Sequence, residues 1–202
     1  MAPGSRRRRL HPIRWLAAVT LLAGCATIAA PPAPRTATAT LLGAQGRNVG
    51  TATFTQVGNA VRVVLEARGL PPGAKGVHVH EIGRCDPPSF NSAGGHFNPG
   101  KRQHGLLNPQ GPHAGDLPNL TVAADGTGRL ETTTERLTLG SGSTSVFDAD
   151  GSALVVHAGP DDFRTDPTGN SGGRAACGAL VKEGGAATTK GQRAAHPRPR
   201  GY

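Results

Sequence analysis

The sequence predicts an all-β domain, and three observations carry that expectation. Apolar and polar residues alternate with period two over much of the stretch from Thr36 to Val181, as strands with one inward face require. Gly, Pro, Asn and Asp interrupt these runs throughout a chain of 202 residues that holds 30 Gly and 17 Pro. One Trp, one Tyr and five Phe leave the core to Val, Leu, Ala and Thr, a partly β-branched mixture suited to strands. The length fits one domain with additional sequence at its ends. No long apolar repeat and no Gly-X-Y period is present, which excludes multi-span membrane and collagen classes.

At the N-terminus Arg6, Arg7, Arg8 and Arg9 precede the apolar run Ile13–Ala23 (IRWLAAVTLLA). This is the make-up of a signal peptide, and the run is too short for a membrane span. It ends in Leu22-Ala23-Gly24-Cys25, which resembles a bacterial lipobox, where cleavage precedes the Cys and its thiol is acylated. Residues 1–24 are therefore expected to be removed. Residues 25–40, rich in Pro, Ala and Thr, would form a tether from the lipid on Cys25 to a domain over 36–182. The protein is then extracytoplasmic, membrane-anchored and outward-facing. With Cys25 consumed, Cys85 and Cys177 remain as an even pair, which should be oxidised outside the cytoplasm.

Candidate strands follow at Asn48–Val57, Ala60–Leu70, Gly76–Ile82, Leu117–Ala123, Gly128–Leu139, Ala153–Ala158 and Gly178–Lys182. Gly58-Asn59 and Asp125-Gly126 are two-residue hairpin signals. Two long interruptions, Gly83–Pro118 and Gly159–Arg174, are rich in Gly, Pro, His and Asp, and loops of that length in a compact domain are usually functional.

The net charge of +9 first suggests a nucleic-acid partner. Its location argues otherwise. The signal segment carries five Arg and no acid, and the stretch from Lys182 onward carries five bases against Glu183, so the region between is balanced at 12 bases and 12 acids. A nucleic-acid-binding domain needs its basic surplus on the folded part. The tail, residues 183–202, is Gly, Ala, Arg and Pro rich and is expected to be disordered.

Six of the eight His, namely His78, His80, His96, His104, His113 and His157, fall in or beside the two long loops. On a strand His78 and His80 share a face while Val77 and Val79 point into the core. His157 ends the apolar run Leu154-Val155-Val156, so a third imidazole can arrive from another strand. His96, His104 and His113 with Asp116 make a plausible closed zinc set. Six imidazoles and one carboxylate are too many for one tetrahedral ion and suit two ions sharing a ligand, copper or zinc and not calcium or magnesium.

The runs GVHVHEIGRCD, GGHFNP, KRQHG, HAGDLPN, LVVHAGPDD and GNSGGRAACG, in this order, closely resemble the copper-zinc superoxide dismutase family, in its bacterial form. The resemblance covers Thr36 to Lys182. It implies an eight-stranded Greek-key β-barrel, a flattened sandwich with two long functional loops. It implies copper on His78, His80, His96 and His157, and zinc on His96, His104, His113 and Asp116, with His96 bridging. Asp161 resembles the carboxylate that fixes one copper-ligating and one zinc-ligating ring, and Arg174 the active-site arginine. The implied reaction turns superoxide into dioxygen and hydrogen peroxide, with copper alternately reduced and oxidised. The family's eukaryotic members carry a Lys and paired acids in the second loop, whereas here Arg164 and Asp166 are the only charges between Asp162 and Arg174. The alternative is a non-enzymatic copper and zinc buffer, and a zinc hydrolase lacks its HExxH helix. The resemblance spans monomers and dimers alike and decides no oligomeric state.

Overall fold

The computed structural model describes residues 35–183, so the expectations for the leader, Cys25 and the tail beyond Glu183 lie outside the described residues. Among the described residues there are nine strand segments: β1 Thr36–Gly43, β2 Asn48–Val57, β3 Ala60–Ala67, β4 Gly73–His80, β5 Asp116–Val122, β6 Gly128–Thr134, β7 Ala153–His157, β8 Arg174–Ala179 and β9 Val181–Lys182. Their order is β2-β3-β6-β5-β4-β7-β8-β1, and β1 pairs back onto β2. Every pairing between named strands is antiparallel, and the sheet closes. Segments β8 and β9 run along the same neighbour, β1, with Leu180 between them donating its N–H to Ser152. The barrel is thus eight-stranded. Chain neighbours β3 and β4 lie apart because β3 pairs with β6 and β4 with β7, the crossing that makes a Greek key.

Small aliphatic side chains fill the barrel as the composition requires. Alternate residues of β1 (Ala37, Ala39, Leu41) and β3 (Val61, Val63, Leu65) join Val77, Val79, Leu117, Leu154 and Val156 in one buried cluster. A second, smaller cluster lies outside the wall, where Phe90 and Ala93 of the first loop pack on Ala153, Val155 and Cys177. Strands β4 and β7 are therefore buried on both faces near their ends, the inner by the core and the outer by the loops.

Several boundaries differ from the sequence expectation. Thr36–Thr40, assigned by composition to both the tether and the domain, belongs to β1; its outward Thr and inward Ala alternate too quietly to stand out from a Pro-, Ala- and Thr-rich stretch. Strand β8 begins at Arg174, since Arg-Ala-Ala-Cys-Gly is held by pairing with β7 and not by β propensity. Strand β6 stops at Thr134, and Leu137 and Leu139 reach the core from a turn segment instead. The Gly58-Asn59 hairpin is as expected, with Val57 paired to Ala60 and Gly58 at φ 57°. The Asp125-Gly126 signal marks a longer turn, in which Gly126 donates to Ala123 and Ala123 to Thr127.

Candidate metal centre

Alternation along β4 sends Val77 and Val79 inward and His78 and His80 outward, and the same parity along β7 puts His157 beside them, across the β4–β7 pairing. The first loop returns to this wall: Phe97 donates to the carbonyl of Val79, Val79 to Gly115 and Gly115 to Phe97. His96 and His113 are thereby brought over the outer face of β4, and Asp116 begins β5 opposite His78. All seven predicted ligand residues come together, none more than 8% exposed.

Hydrogen bonds fix which nitrogen of each ring is spoken for. His78 Nε2 donates to Asp161 Oδ2 at 2.7 Å, His80 Nδ1 to the carbonyl of Gly94 at 3.0 Å, and His157 Nδ1 to the carbonyl of Gly172 at 3.2 Å. What remains is His78 Nδ1, His80 Nε2, His96 Nε2 and His157 Nε2, all buried and without a hydrogen-bond partner. These four residues have ligand atoms within 4.8 Å of one another. Orphaned buried polar atoms are costly, and four in one place are what a metal set of neutral imidazoles looks like. Burial pushes His78 down to about 3, His80 to about 2 and His157 to about 4, so all three are neutral and ready to ligate.

On the far side of His96 the geometry is equally specific. Asp116 Oδ1 lies 3.1 Å from Nδ1 of His96, 3.1 Å from Nδ1 of His104 and 3.4 Å from Nδ1 of His113, and the Nδ1 atoms of His96 and His113 are 3.3 Å apart. A tetrahedron of ligands 2.0–2.1 Å from zinc has edges of about 3.3 Å, so the four atoms fit that ion. A grouping by separation alone pairs His78 with His96, His104 and Asp116. His78 has its Nε2 on Asp161 and its Nδ1 in the first set, so His113 is the better fourth member. Burial works to raise the Asp116 carboxyl, but hydrogen bonds from His104, His113, His96 and the Gly105 N–H hold it far below the usual carboxylate range.

Asp161 joins the two sets. Its Oδ2 accepts from His78 and its Oδ1 from His104 Nε2 at 3.0 Å. Asn119 brackets its backbone from both sides, and Phe163 N–H donates to Oδ1. Despite burial these bonds hold its carboxyl well below the ordinary range. Contacts of three other residues were not expected from the sequence. Asp166 Oδ1 accepts the His104 N–H at 2.6 Å and lies 3.8 Å from His113 Nε2, tying the second loop to the first. Arg136 donates to the backbone carbonyl of Asp116 at 2.6 Å, and Glu81 accepts the Gly95 N–H at 2.9 Å. The only sequence signal for any of these was the scarcity of charge around Asp166.

A cavity of ≈ 490 Å³ opens over the first set, walled by His80, His96, His157, Thr168, Glu81 and Arg174. The Arg174 guanidinium donates to the carbonyls of Phe90 and Gly94, each at 2.6 Å. Gly94 also holds His80, so the arginine and that imidazole share one anchor. The loop carrying both carbonyls is fastened to β8 by the Cys85–Cys177 disulfide, 92 residues apart in sequence. For such a loop length chain entropy alone contributes about 4–5 kcal/mol, in a model-dependent way.

Comparison with known proteins agrees with this geometry. Residues 48–180 match the family model described as copper/zinc superoxide dismutase (SODC). A copper-zinc superoxide dismutase of Aquifex aeolicus is 48% identical over 144 residues, covering 70% of this chain and 85% of its own. One of Deinococcus radiodurans is 41% identical over 186 residues, covering 85% of this chain and 96% of its own. The crystal structure of a SOD-like protein from Bacillus subtilis superposes with a TM-score of 0.69 at 39% identity, covering 71% of this chain and 97% of that one. With its matched residues, its closed barrel and its paired histidine sets, the chain belongs to the copper/zinc superoxide dismutase family.

Proposed function

We propose that the protein is a superoxide dismutase acting outside the cytoplasm. Copper would be held by His78, His80, His96 and His157, and zinc by His96, His104, His113 and Asp116. The observation that carries this reading is the set of four buried, partnerless imidazole nitrogens. Four imidazoles suit copper, and three with a carboxylate suit zinc. When bound, copper supplies the one-electron exchange that turns two superoxide anions and two protons into dioxygen and hydrogen peroxide.

The chain's own residues handle position and protons. His96 is the imidazole that faces both sets, so its Nε2 can hold and give up a proton while its Nδ1 stays with the zinc set. Arg174 offers its remaining N–H donors and its charge to a small anion in the cavity, and its two carbonyl partners keep it from swinging away. A purely metal-buffering domain has no use for an arginine so placed. Residues 1–24 act as an export signal, and acylated Cys25 anchors the chain to membrane lipid. The Cys85–Cys177 disulfide supports an oxidising compartment.

Protein loaded with both metals should remove superoxide, and copper-free, zinc-loaded protein should not. Equal removal without copper overturns the reading. Mass spectrometry of cell-derived protein should find an acylated Cys25 at the N-terminus.

A further inference from the structure

We propose that Asp166 is a positioning residue for the zinc set, the carboxylate that steadies the outward nitrogen of His113 and so ties one wall of the cavity to that set. The role rests on the reading of His96, His104, His113 and Asp116 as a zinc site, and the test lets the two fail separately.

Each ligand imidazole has two nitrogens. In four of the five rings that serve a single set, the nitrogen turned away from the set is held by an acceptor: His78 and His104 donate to Asp161, His80 to the Gly94 carbonyl and His157 to the Gly172 carbonyl. His113 is the fifth ring. Its Nδ1 lies 3.4 Å from Asp116 Oδ1 and 3.3 Å from His96 Nδ1, within the zinc set, so Nε2 faces outward. A neutral ring that gives Nδ1 to a metal carries its proton on Nε2, and Asp166 Oδ1 stands 3.8 Å from that nitrogen. This is longer than a hydrogen bond but close enough for direct electrostatic attraction. A carboxylate on the second nitrogen fixes the tautomer and orientation of a ligating imidazole and raises its basicity.

The second loop is built to place this carboxylate. Asp162 accepts from the N–H groups of Arg164 and Thr165, from the Thr165 hydroxyl and from the Asn170 side-chain amide. The Gly169 N–H closes the turn on the Thr165 carbonyl at 2.6 Å. Asp166 sits inside this frame, and the His104 N–H holds its Oδ1 from the other side at 2.6 Å. Arg164, the nearest cation in sequence, directs its guanidinium to the Leu107 carbonyl instead, so the charge of Asp166 is left for the zinc set. Pro167 and Thr168 follow directly and line the cavity together with His113. What steadies Asp166 therefore steadies that wall.

The test compares the full protein with Asp166→Asn by chelator competition for zinc. Asn keeps an oxygen for the His104 N–H and removes the charge facing His113, so a residue that merely fastens one loop to the other predicts no change. Loss of an outer partner typically lowers metal affinity about 10- to 100-fold. The Asp166 side chain is 47% exposed and so partly screened, which places the expected loss near tenfold, roughly the lower end of that range. The difference should narrow as salt is added, and cobalt(II) in place of zinc should give a visible spectrum displaced from that of the unaltered protein. Copper affinity at saturating zinc should not move, because His78, His80 and His157 have other partners. Equal zinc affinity, a difference indifferent to salt, an unshifted cobalt spectrum or an equal loss of copper overturns the role of Asp166 and leaves the zinc set standing. Failure of the unaltered protein to take up zinc removes the set itself, and this role with it.

Discussion

Gly169→Ala tests the claim that a single carboxylate governs both metal sets. Gly169 has φ 62°, and a Cβ there would lie 2.6 Å from both Asp161 Cγ and His104 Nε2, and closer still to Asp161 Oδ1. Asp161 has little room to yield, being bonded to His78, His104, Phe163 and Asn119. The left-handed backbone alone costs an L-residue about 1–2 kcal/mol. Displacing the carboxylate adds the loss of one or two charge-assisted hydrogen bonds, about 1.5–3 kcal/mol each. Loss of such outer partners typically lowers metal affinity about 10- to 100-fold, and here both copper and zinc should be weakened because His78 and His104 lose the same acceptor. Gly58→Ala is the control, with nearly the same φ of 57° and nothing within 4 Å of its added Cβ. Chelator competition measures each affinity, and the Cu(II) electron paramagnetic resonance spectrum reports the copper geometry. If Gly169→Ala binds both metals as tightly as Gly58→Ala, Asp161 does not hold the two sets and the reasoning fails.

Further outcomes are expected. In the metal-free protein burial pulls His104 down, but Asp116 and Asp161 raise it to about 9, while His78, His80 and His157 lie at about 3, 2 and 4. The raised group stabilises fully below its ordinary 6.5 and loses this as pH climbs to 9, whereas the lowered groups cost stability as pH falls below 6.5. The thermal midpoint of apoprotein should therefore peak near pH 6.5–7, and a flat profile across that range refutes the assignment. Zinc affinity should rise with pH towards 9, because zinc must displace the proton on His104; pH-independent uptake contradicts this. Arg174→Ala should keep both metals but lose much of the dismutation rate and most of its dependence on ionic strength, and an unchanged salt response argues against a role in steering. Cys177→Ser should lower stability by about 4–5 kcal/mol in denaturant melts and also loosen Arg174, seen as a rate loss in the folded, metal-loaded variant.

That these seven residues would gather was legible because their number and type, six His and one Asp in or beside two long loops, is itself a signal. The choice of nitrogen in each ring was not. It depends on acceptors such as the Gly94 and Gly172 carbonyls, which carry no side-chain mark. The role of Asp166 was not legible for a related reason: it binds the backbone of His104, 62 residues away, and a main-chain N–H leaves no trace in sequence. Strand β1 was obscured by its small inward Ala residues, which suffice only because β1 lies between β2 and β8 in a closed wall. Its outward Thr residues look the same in a linker as on a barrel surface. Topology came from resemblance, since alternation says which face is inside and not which strand lies next.

His96 belongs to both sets, and Asp161 grips one ring from each. The two ions cannot then be independent guests. An ion that tightens the bonds of His96 to Asp116 or of Asp161 to His78 and His104 on one set should favour the ion on the other. By thermodynamic linkage the gain is the same whichever order is followed. The protein is in this sense a two-input device: scarcity of zinc should appear as weak retention of copper, and an organism short of one metal would lose hold of the other.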